Sequence, residues 1–464
     1  MALTTGCGGT GTTFSGNTAV TVVASSTAND QLVQYSLNLT GLTLTGKSGK
    51  TVNLLTTPES EEFIHVNGTG EPLFTTSVPQ GVYTSASVTI GGAQFSCATL
   101  DSSGGLDNST YAYGATPSSQ VTVNLPAPIT VTGGAMGLVL DFLVSQAATF
   151  ASCDPDNGSG SFSITPTFDL TSVAFSSQPT NSQNGKLTGL DGIVASVDAA
   201  GSGFTVTTQG DGPGWTVSTS STVYQGINGP SALVAGLPMD MDVAVQADGS
   251  LLATRVEVDN ANAADLSAWK GPVEFVGSAE PVLLAGAVEE QGFLFNSAYI
   301  LGGSPFSFGD AVFQPSGQLT NIQSLPFTAV FTAANVVPGQ NISVTTNAST
   351  FGGAYPTYNP AATVTLEPQT INGTVEEVSS EGGFTTYTVS LASYDLFPDL
   401  AEQQGQTTLL TSANSVVVYV DSSTQMLNAN SLTAGGLFRF YGLVFNDNGT
   451  LRMDCAQVND GVAE

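Results

Sequence analysis

Positive charge is scarce in this sequence. Of 464 residues only seven are basic, namely Lys47, Lys50, Lys186, Arg255, Lys270, Arg439 and Arg452. They face 37 acidic residues, for a formal net charge of −30. Nucleic-acid binding needs clustered cations that displace counterions from phosphates, so no nucleic acid is expected as a partner. The same shortage excludes electrostatic adhesion to an anionic membrane face. Histidine occurs once, at His65. A His-rich metal site is therefore excluded, and a Ser-His-Asp triad would have to use that one residue. It stands in "EEFIHVNGTG" with no G-x-S-x-G elbow nearby. The four cysteines, Cys7, Cys97, Cys153 and Cys455, fit no zinc spacing. No apolar run reaches the ~20 residues of a membrane-spanning helix. The most apolar stretch, "AMGLVLDFLV", is short and is broken by Asp141. The Gly-rich "GCGGTG" has no strand before it and no helix after it, so it frames no phosphate.

What is present is hydroxyl, amide and aliphatic. Only 9% of residues are charged while 41% are hydrophobic, which separates the chain from disordered sequences of high charge and low hydropathy. The acidity suits solubility and attracts cations, and it reads first as a solvated acidic surface. Alternation with period two recurs throughout. Val33, Tyr35, Leu37 and Leu39 alternate with polar residues, as do Val82, Ala86, Val88 and Ile90, and Phe162, Ile164, Phe168 and Leu170. Gly, Asn, Asp and Ser clusters separate these runs. The expected class is all-β, with an N-terminal β-sandwich followed by about three small β-barrel-like units in series.

Internal similarity organises the second half. "GIVASVDAAGSGFTV", "SALVAGLPMDMDV" and "ADGSLLATRVEV" reappear in the same order as "GTVEEVSSEGGFTTYTV", "SLTAGGLFRFYGLVF" and "NDNGTLRMDCAQV". Asp248-Gly249 and Asn448-Gly449 are hairpin signals because both central residues of a type I′ turn need positive φ. "FTAVFTAANVVPGQNISVTT" with "ATVTLEPQ" echoes the second half of the unit and is read as a third, diverged copy. The polar stretch 176–186 reads as a linker, and a second boundary is expected near 260–272. The expected organisation is a signal remnant and anchor tail over 1–17, a sandwich over 18–176, and barrel units over 186–260, 271–370 and 371–462.

The first domain resembles a bacterial family of unknown function found in exported lipoproteins. The likeness lies in "YSLNLTGLTLTGKSGKTVNLL", "VPQGVYTSASVTI" and "GLVLDFLVSQAATF" leading to "FSITPTFDL". The later units resemble a second, repeated family of unknown function that often follows it, through "GIVASVDAAGSGFTV" with "QADGSLLATRVEV" and "INGTVEEVSS" with "LVFNDNGTLRM". The resemblance implies a sandwich followed by small barrels and a location in the cell envelope. It brings no catalytic motif.

Individual residues suggest further chemistry. Cys7, preceded by a small residue and followed by Gly-rich polar sequence, matches the end of a lipoprotein signal and is the expected lipid attachment site. Leu3 lies one position further from it than is usual. In an exported protein Cys97 and Cys153 could close a disulfide worth about 4 kcal/mol in the chain-entropy model, leaving Cys455 as a packed small hydrophobe. Asp154, Asp156 and Asn157 in "CDPDNGSGS" offer oxygen ligands for calcium, the one candidate cofactor, although turn chemistry explains the same residues. Among Trp215, Tyr224, Trp269, Tyr355 and Tyr358, the loop "GGAYPTYNP" makes Tyr355 and Tyr358 the candidate ligand-binding aromatics. A glycoside hydrolase would need two carboxylates across a cleft. Glu61, Glu62, Asp240, Asp242, Glu376 and Glu377 are the candidates, but neighbours such as Glu376 and Glu377 point to opposite faces of a strand.

No residue is assigned a catalytic role, and the chain is read as a non-enzyme. The expected function is a structural or adhesive protein at the bacterial cell exterior, secreted or held as an outer-membrane lipoprotein. It would touch a membrane only through its lipid, and display a long rigid stalk or an adhesive surface toward extracellular matrix or glycan. The alternatives are a glycan-binding surface protein, a subunit of a fibre made by homo-assembly through edge strands, and, last, a carboxylate-dependent glycoside hydrolase.

Overall fold

A computed structural model of the chain describes residues 14–27, 32–63, 66, 71–100, 106–111, 119–144, 148–150, 162–164, 166–172, 186–207, 215–245, 251–258, 267–276, 283–284, 287–289, 299–300, 304–317, 319, 322–346, 359–392, 397–398, 410–427 and 431–460. The protein is all-β, with small closed barrels in series along the chain.

The first thirteen strands build two facing sheets and one short ladder. They are β1 (Asn17–Thr27), β2 (Leu32–Gly46), β3 (Thr51–Asn53), β4 (Glu59–Glu62), β5 (Glu71–Pro79), β6 (Gly81–Leu100), β7 (Leu106–Tyr111), β8 (Ser119–Val123), β9 (Ile129–Val131), β10 (Ala135–Leu143), β11 (Ala148–Phe150), β12 (Phe162–Ile164) and β13 (Phe168–Ser172). One sheet has the order β13-β10-β1-β5, with β1 and β10 parallel at its centre. The other is built on the long antiparallel pair β2–β6, with β3 and β4 on β2 and with β7, β8 and β9 on β6. β11 and β12 form a separate two-stranded ladder. β10 alternates within its apolar run: Met136, Leu138, Leu140 and Phe142 are buried. There Phe142 packs edge-on against Tyr35 and Phe63, with ring centroids 4.9 Å apart in each pair. On β6 the periodicity slips. Ala86, Val88 and Ile90 face the core, but Tyr83 takes the place expected for Val82. The register shift between Thr45 and Gly46 opposite it explains this, because one extra residue moves the following side chain to the other face.

The first barrel comprises β14 (Lys186–Val197), β15 (Gly203–Thr207), β16 (Trp215–Ser218), β17 (Val223–Gln225), β18 (Pro238–Val245) and β19 (Leu251–Glu257). Its order is β16-β15-β14-β18-β19, closed by a parallel β16–β19 pairing, and β17 extends the same edge of β19. The middle unit comprises β20 (Ser267–Phe275), β21 (Leu283–Leu284), β22 (Ala287–Glu289), β23 (Tyr299–Ile300), β24 (Ser304–Ser307), β25 (Val312–Pro315), β26 (Asn341–Thr346) and β27 (Asn359–Leu366). It closes as β24-β21-β20-β26-β27 with parallel β24–β27, carries β25 where the first barrel carries β17, and adds the pair β22–β23 on β20. The last barrel comprises β28 (Gln369–Glu381), β29 (Phe384–Leu391), β30 (Ser415–Val420), β31 (Gln425–Leu427), β32 (Leu437–Asp447) and β33 (Thr450–Asp460), and its order repeats the first. All three have the connectivity of a five-stranded Greek-key barrel of the OB type.

A single backbone device recurs in all three. Gly236, Gly339 and Gly435 have φ of 87°, 88° and 83°, which a Cβ would disfavour. Their N–H groups donate to the carbonyls of Val194, Val273 and Val375 at 2.7, 2.8 and 2.7 Å, and those valines donate back to the residue after each glycine. The middle unit is thus a copy of the other two despite its divergent sequence. The β32–β33 turn is the expected one, with Asn448 at φ 53° and Gly449 at 91°. β20 begins at Ser267 and β28 at Gln369.

Serial order does not place the units in a row. The outer face of β1 and β10 is itself covered, with Val23 joining the core of the first barrel and Val139 packing against it. The middle unit shares its core with Leu443 and Phe445 of the last barrel, whose burial contributes roughly 2 kcal/mol each. The last barrel in turn reaches back to the sandwich through Arg439. The four units close a circuit of contacts.

Candidate functional site

Eight of the residues singled out by sequence lie outside the described residues. These are Cys7, Cys153, the pair Tyr355 and Tyr358, the calcium candidates Asp154, Asp156 and Asn157, and His65. Cys97 lies on β6, opposite Ser109 of β7, and only its backbone is described. Cys455 is a free, buried thiol in the core of the last barrel. Tyr224 packs against the core of the first barrel.

The structure concentrates its polar chemistry where units meet, and all three arginines of the chain are there. Arg255 on β19 is 5% exposed. Its Nε and Nη2 donate to the two oxygens of Asp242 at 2.9 and 3.3 Å, and its Nη1 donates to Glu257 Oε2 at 2.6 Å. Burial opposes the guanidinium charge, but Asp242 and Glu257 outweigh it, so the pKa is raised and the charge is kept. Glu257 also accepts from Ser316 Oγ at 2.7 Å and from the Gly317 N–H at 3.2 Å, while Gln225 Nε2 donates to the Gly317 carbonyl at 2.9 Å. Ser316 and Gly317 follow β25, so this network ties the middle unit to the first barrel. Removing one partner of such a buried pair costs about 3–5 kcal/mol.

Arg439 on β32 is also 5% exposed. It donates from Nη1 to the Ser26 carbonyl at 2.6 Å and holds Nη2 at 3.9 Å from Asp141. Asp141 is the residue that interrupts the apolar run of β10. It lies on the outer face of its sheet, opposite Asp169 of β13 and beside Ser25 of β1. Burial raises the Asp141 carboxyl above its usual range, and Asp169 adds to this. Arg439 and a hydrogen bond from Ser25 act against it. The matching backbone bonds of Val194 and Val375 make Asp240 of the first barrel equivalent to Arg439 of the last. One position therefore carries an acid in one copy and a base in the other.

Arg452 on β33 lies between two aromatic rings, with its guanidinium carbon 5.4 Å from the centroid of Phe327 and 5.8 Å from that of Tyr419. It pairs with Asp447 at 2.8 Å and Glu381 at 3.7 Å, and donates to the Tyr419 hydroxyl. That hydroxyl donates to Glu381 at 2.9 Å. Burial pushes the Tyr419 pKa up to about 12, with Glu381 adding to it. Phe327 belongs to the middle unit, in a strap over 322–340 that crosses the last barrel. Gln340 fastens its end by donating to the Val444 carbonyl at 2.8 Å, and Val337 enters the last barrel's core.

No family model matches this chain. No curated protein matches it either. The likeness to exported-lipoprotein families therefore rests on the residues quoted for it.

Of the carboxylates considered for glycoside hydrolysis, Asp240 and Asp242 stand together on β18, both beside Arg255, and the others are dispersed. Asp242 is bound bidentate by Arg255. Glu61 is buried on β4 of the sandwich. Glu376 and Glu377 are exposed on β28, where a register shift separates them. Reasoning from the sequence missed the arginine joints. Their signal was present as three arginines placed inside strands, in "LLATRVEV", "LFRFYGLVF" and "TLRMDC", where a solvated charge is not expected.

Proposed function

We propose that this protein is a non-catalytic structural or adhesive component of the bacterial cell exterior, lipid-anchored through Cys7, that displays a compact four-unit body toward matrix or glycan. The observation that carries this reading is that all three arginines stand where units meet, Arg439 and Arg452 touching the neighbouring unit and Arg255 holding the Glu257 that does, which favours a scaffold. Asp242, considered above for acid–base work, is held by Arg255 through both of its oxygens. The acidic surface keeps such a body soluble and apart from its neighbours.

A second reading, glycan recognition, draws on the barrel connectivity, since five-stranded Greek-key barrels of this kind serve oligosaccharide binding elsewhere. The test has three arms. Cells expressing the precursor are fractionated with and without Cys7→Ala, and the purified body is applied to glycan and matrix-protein arrays and to a panel of polysaccharides. Membrane association lost in the variant, with binding and no hydrolysis, is the expected result. Turnover of a polysaccharide that falls in Asp242→Asn would replace the proposal with a hydrolase.

A further inference from the structure

The strap over 322–340, "IQSLPFTAVFTAANVVPGQ", contains no ionisable residue although the chain carries 37 acidic ones. It lies on the outer face of the last barrel. Leu325, Phe327 and Ala329 pack with Tyr419 and Phe384, and Phe331 and Val336 pack with Leu443 and Phe445. In the middle of that covered face stands one carboxylate, Asp454 of β33. Its ladder partners are Leu443 on one side and Tyr419 on the other, and partners in a ladder share a face. Both of its flanking residues, Met453 and Cys455, point into the barrel core, which fixes Asp454 outward, toward the strap.

Asp454 is 5% exposed, and its Oδ2 has no hydrogen-bond partner among the described residues. The charged and titratable groups around it do not supply one. Arg452, two residues along the same face, is engaged by Asp447 and Glu381. Tyr419 donates to Glu381. Asp421, beyond the end of β30, adds like charge. Cys455 faces the other way, with its Sγ 3.2 Å from the Gln457 carbonyl. From β32 the neighbours are Leu443 and Phe445, and the strap adds nothing ionisable. A charged carboxylate under an uncharged, apolar cover is costly, whereas a neutral carboxyl is tolerated.

We propose that Asp454 is a proton-operated latch: protonated, it lets the strap of the middle unit close on the last barrel, and ionised, it loosens that strap. The observed environment agrees, because burial first and Asp421 second raise its pKa to about 7. An exposed aspartate titrates near pH ~4. The closed state therefore binds the proton more tightly than the open one. Closure is fully favoured below pH ~4, weakens as pH rises toward about 7, and levels off above that. The device would hold the middle and last units together most firmly in mildly acidic surroundings.

Hydrogen exchange of the full chain from pH 4.5 to 9, corrected for intrinsic rates, tests this at the amides of Asn335, Val337, Gly339 and Gln340. The strap's opening constant is expected to rise by up to about tenfold per pH unit below the plateau. In Asp454→Asn, which keeps the shape and removes the titration, the profile should be flat, with protection at pH 8 at least tenfold above the parent. Asp421→Asn should move the plateau to lower pH while leaving the slope. Peptides from β14 and β18 serve as the control for global unfolding. An equal slope in Asp454→Asn, or a flat profile in the parent, overturns the proposal.

Discussion

The guanidinium of Arg439 meets the carbonyl oxygen of Ser26 at 2.6 Å, joining positions 413 residues apart in the chain. This contact brings the last barrel back to the sandwich. It also gives Asp141 a cation on a sheet face where Asp169 would otherwise be its nearest charged neighbour. Arginine suits the place better than lysine would, because its planar fork can serve a carbonyl and a carboxylate from one side chain.

Replacing Arg439 by Met should therefore cost about 3–5 kcal/mol, the range for removing one partner of a buried charged contact. Urea denaturation measures the loss, and small-angle scattering of the still-folded variant should report a larger radius of gyration as the circuit opens. Arg439→Lys should recover part of the stability. A variant as stable and as compact as the parent would show that the contact closes nothing.

The joint between the first barrel and the middle unit predicts a measurable coupling. Ser316→Ala removes a hydrogen bond to a buried carboxylate and should cost about 1.5–3 kcal/mol. In a Glu257→Gln background the same change should cost clearly less, because the charged acceptor is already gone. A double-mutant cycle read by urea melts gives the coupling. Additive losses would mean that Ser316 and Glu257 do not act together.

Much of the fold was legible because its strands alternate cleanly. In β2 the alternating Tyr35, Leu37 and Leu39 carry the sandwich core, and the Asn448-Gly449 turn is where its sequence places it. The middle unit was recognisable as a copy from "FTAVFTAANVVPGQNISVTT" with "ATVTLEPQ", and Gly339 within it repeats the backbone geometry of Gly236 and Gly435. The joints were not legible in the same way. Asp141 looked like a flaw in an apolar run, since the residue that answers it lies at the other end of the chain. Periodicity reports which face of a strand is apolar, and it is silent on which unit covers that face. Strand β32 is buried on both faces from Phe438 to Asn446 for this reason, with its own barrel inside and other units outside.

Cys455 should be chemically silent in the native protein. Burial, then the neighbouring Asp454, raises its thiol pKa well above the usual value, and the thiolate is the reactive form. Iodoacetamide at pH 8 should leave it unmodified for hours and label it within minutes in strong denaturant, as read by mass spectrometry. Rapid native labelling would mean that the last barrel opens far more readily than its packing implies.

The last prediction concerns association through a free edge. β28 pairs with β32 over Gln369–Thr374 and with β29 to its end at Glu381. Beyond Val375 its second edge has no strand partner among the described residues, and residues 376–381 are all exposed. An open edge invites pairing with another chain, and proteins commonly block it with Lys or Pro. This chain is nearly devoid of Lys. It places Glu376, Glu377 and Glu381 along the edge instead, and two such edges would repel. Val378, 45% exposed, is the apolar residue they guard. The repulsion should be sensitive to salt, because at physiological ionic strength charges are screened beyond about 8 Å, and to calcium, which can bridge carboxylates from two copies. Replacing Glu376 and Glu377 by Thr should produce larger species in light scattering at low salt, where the parent stays monomeric. In the parent, rising calcium should have the same effect at concentrations far below those of sodium chloride. If the double variant stays monomeric in both titrations, the edge is protected by something other than its charge, and homo-assembly through β28 falls.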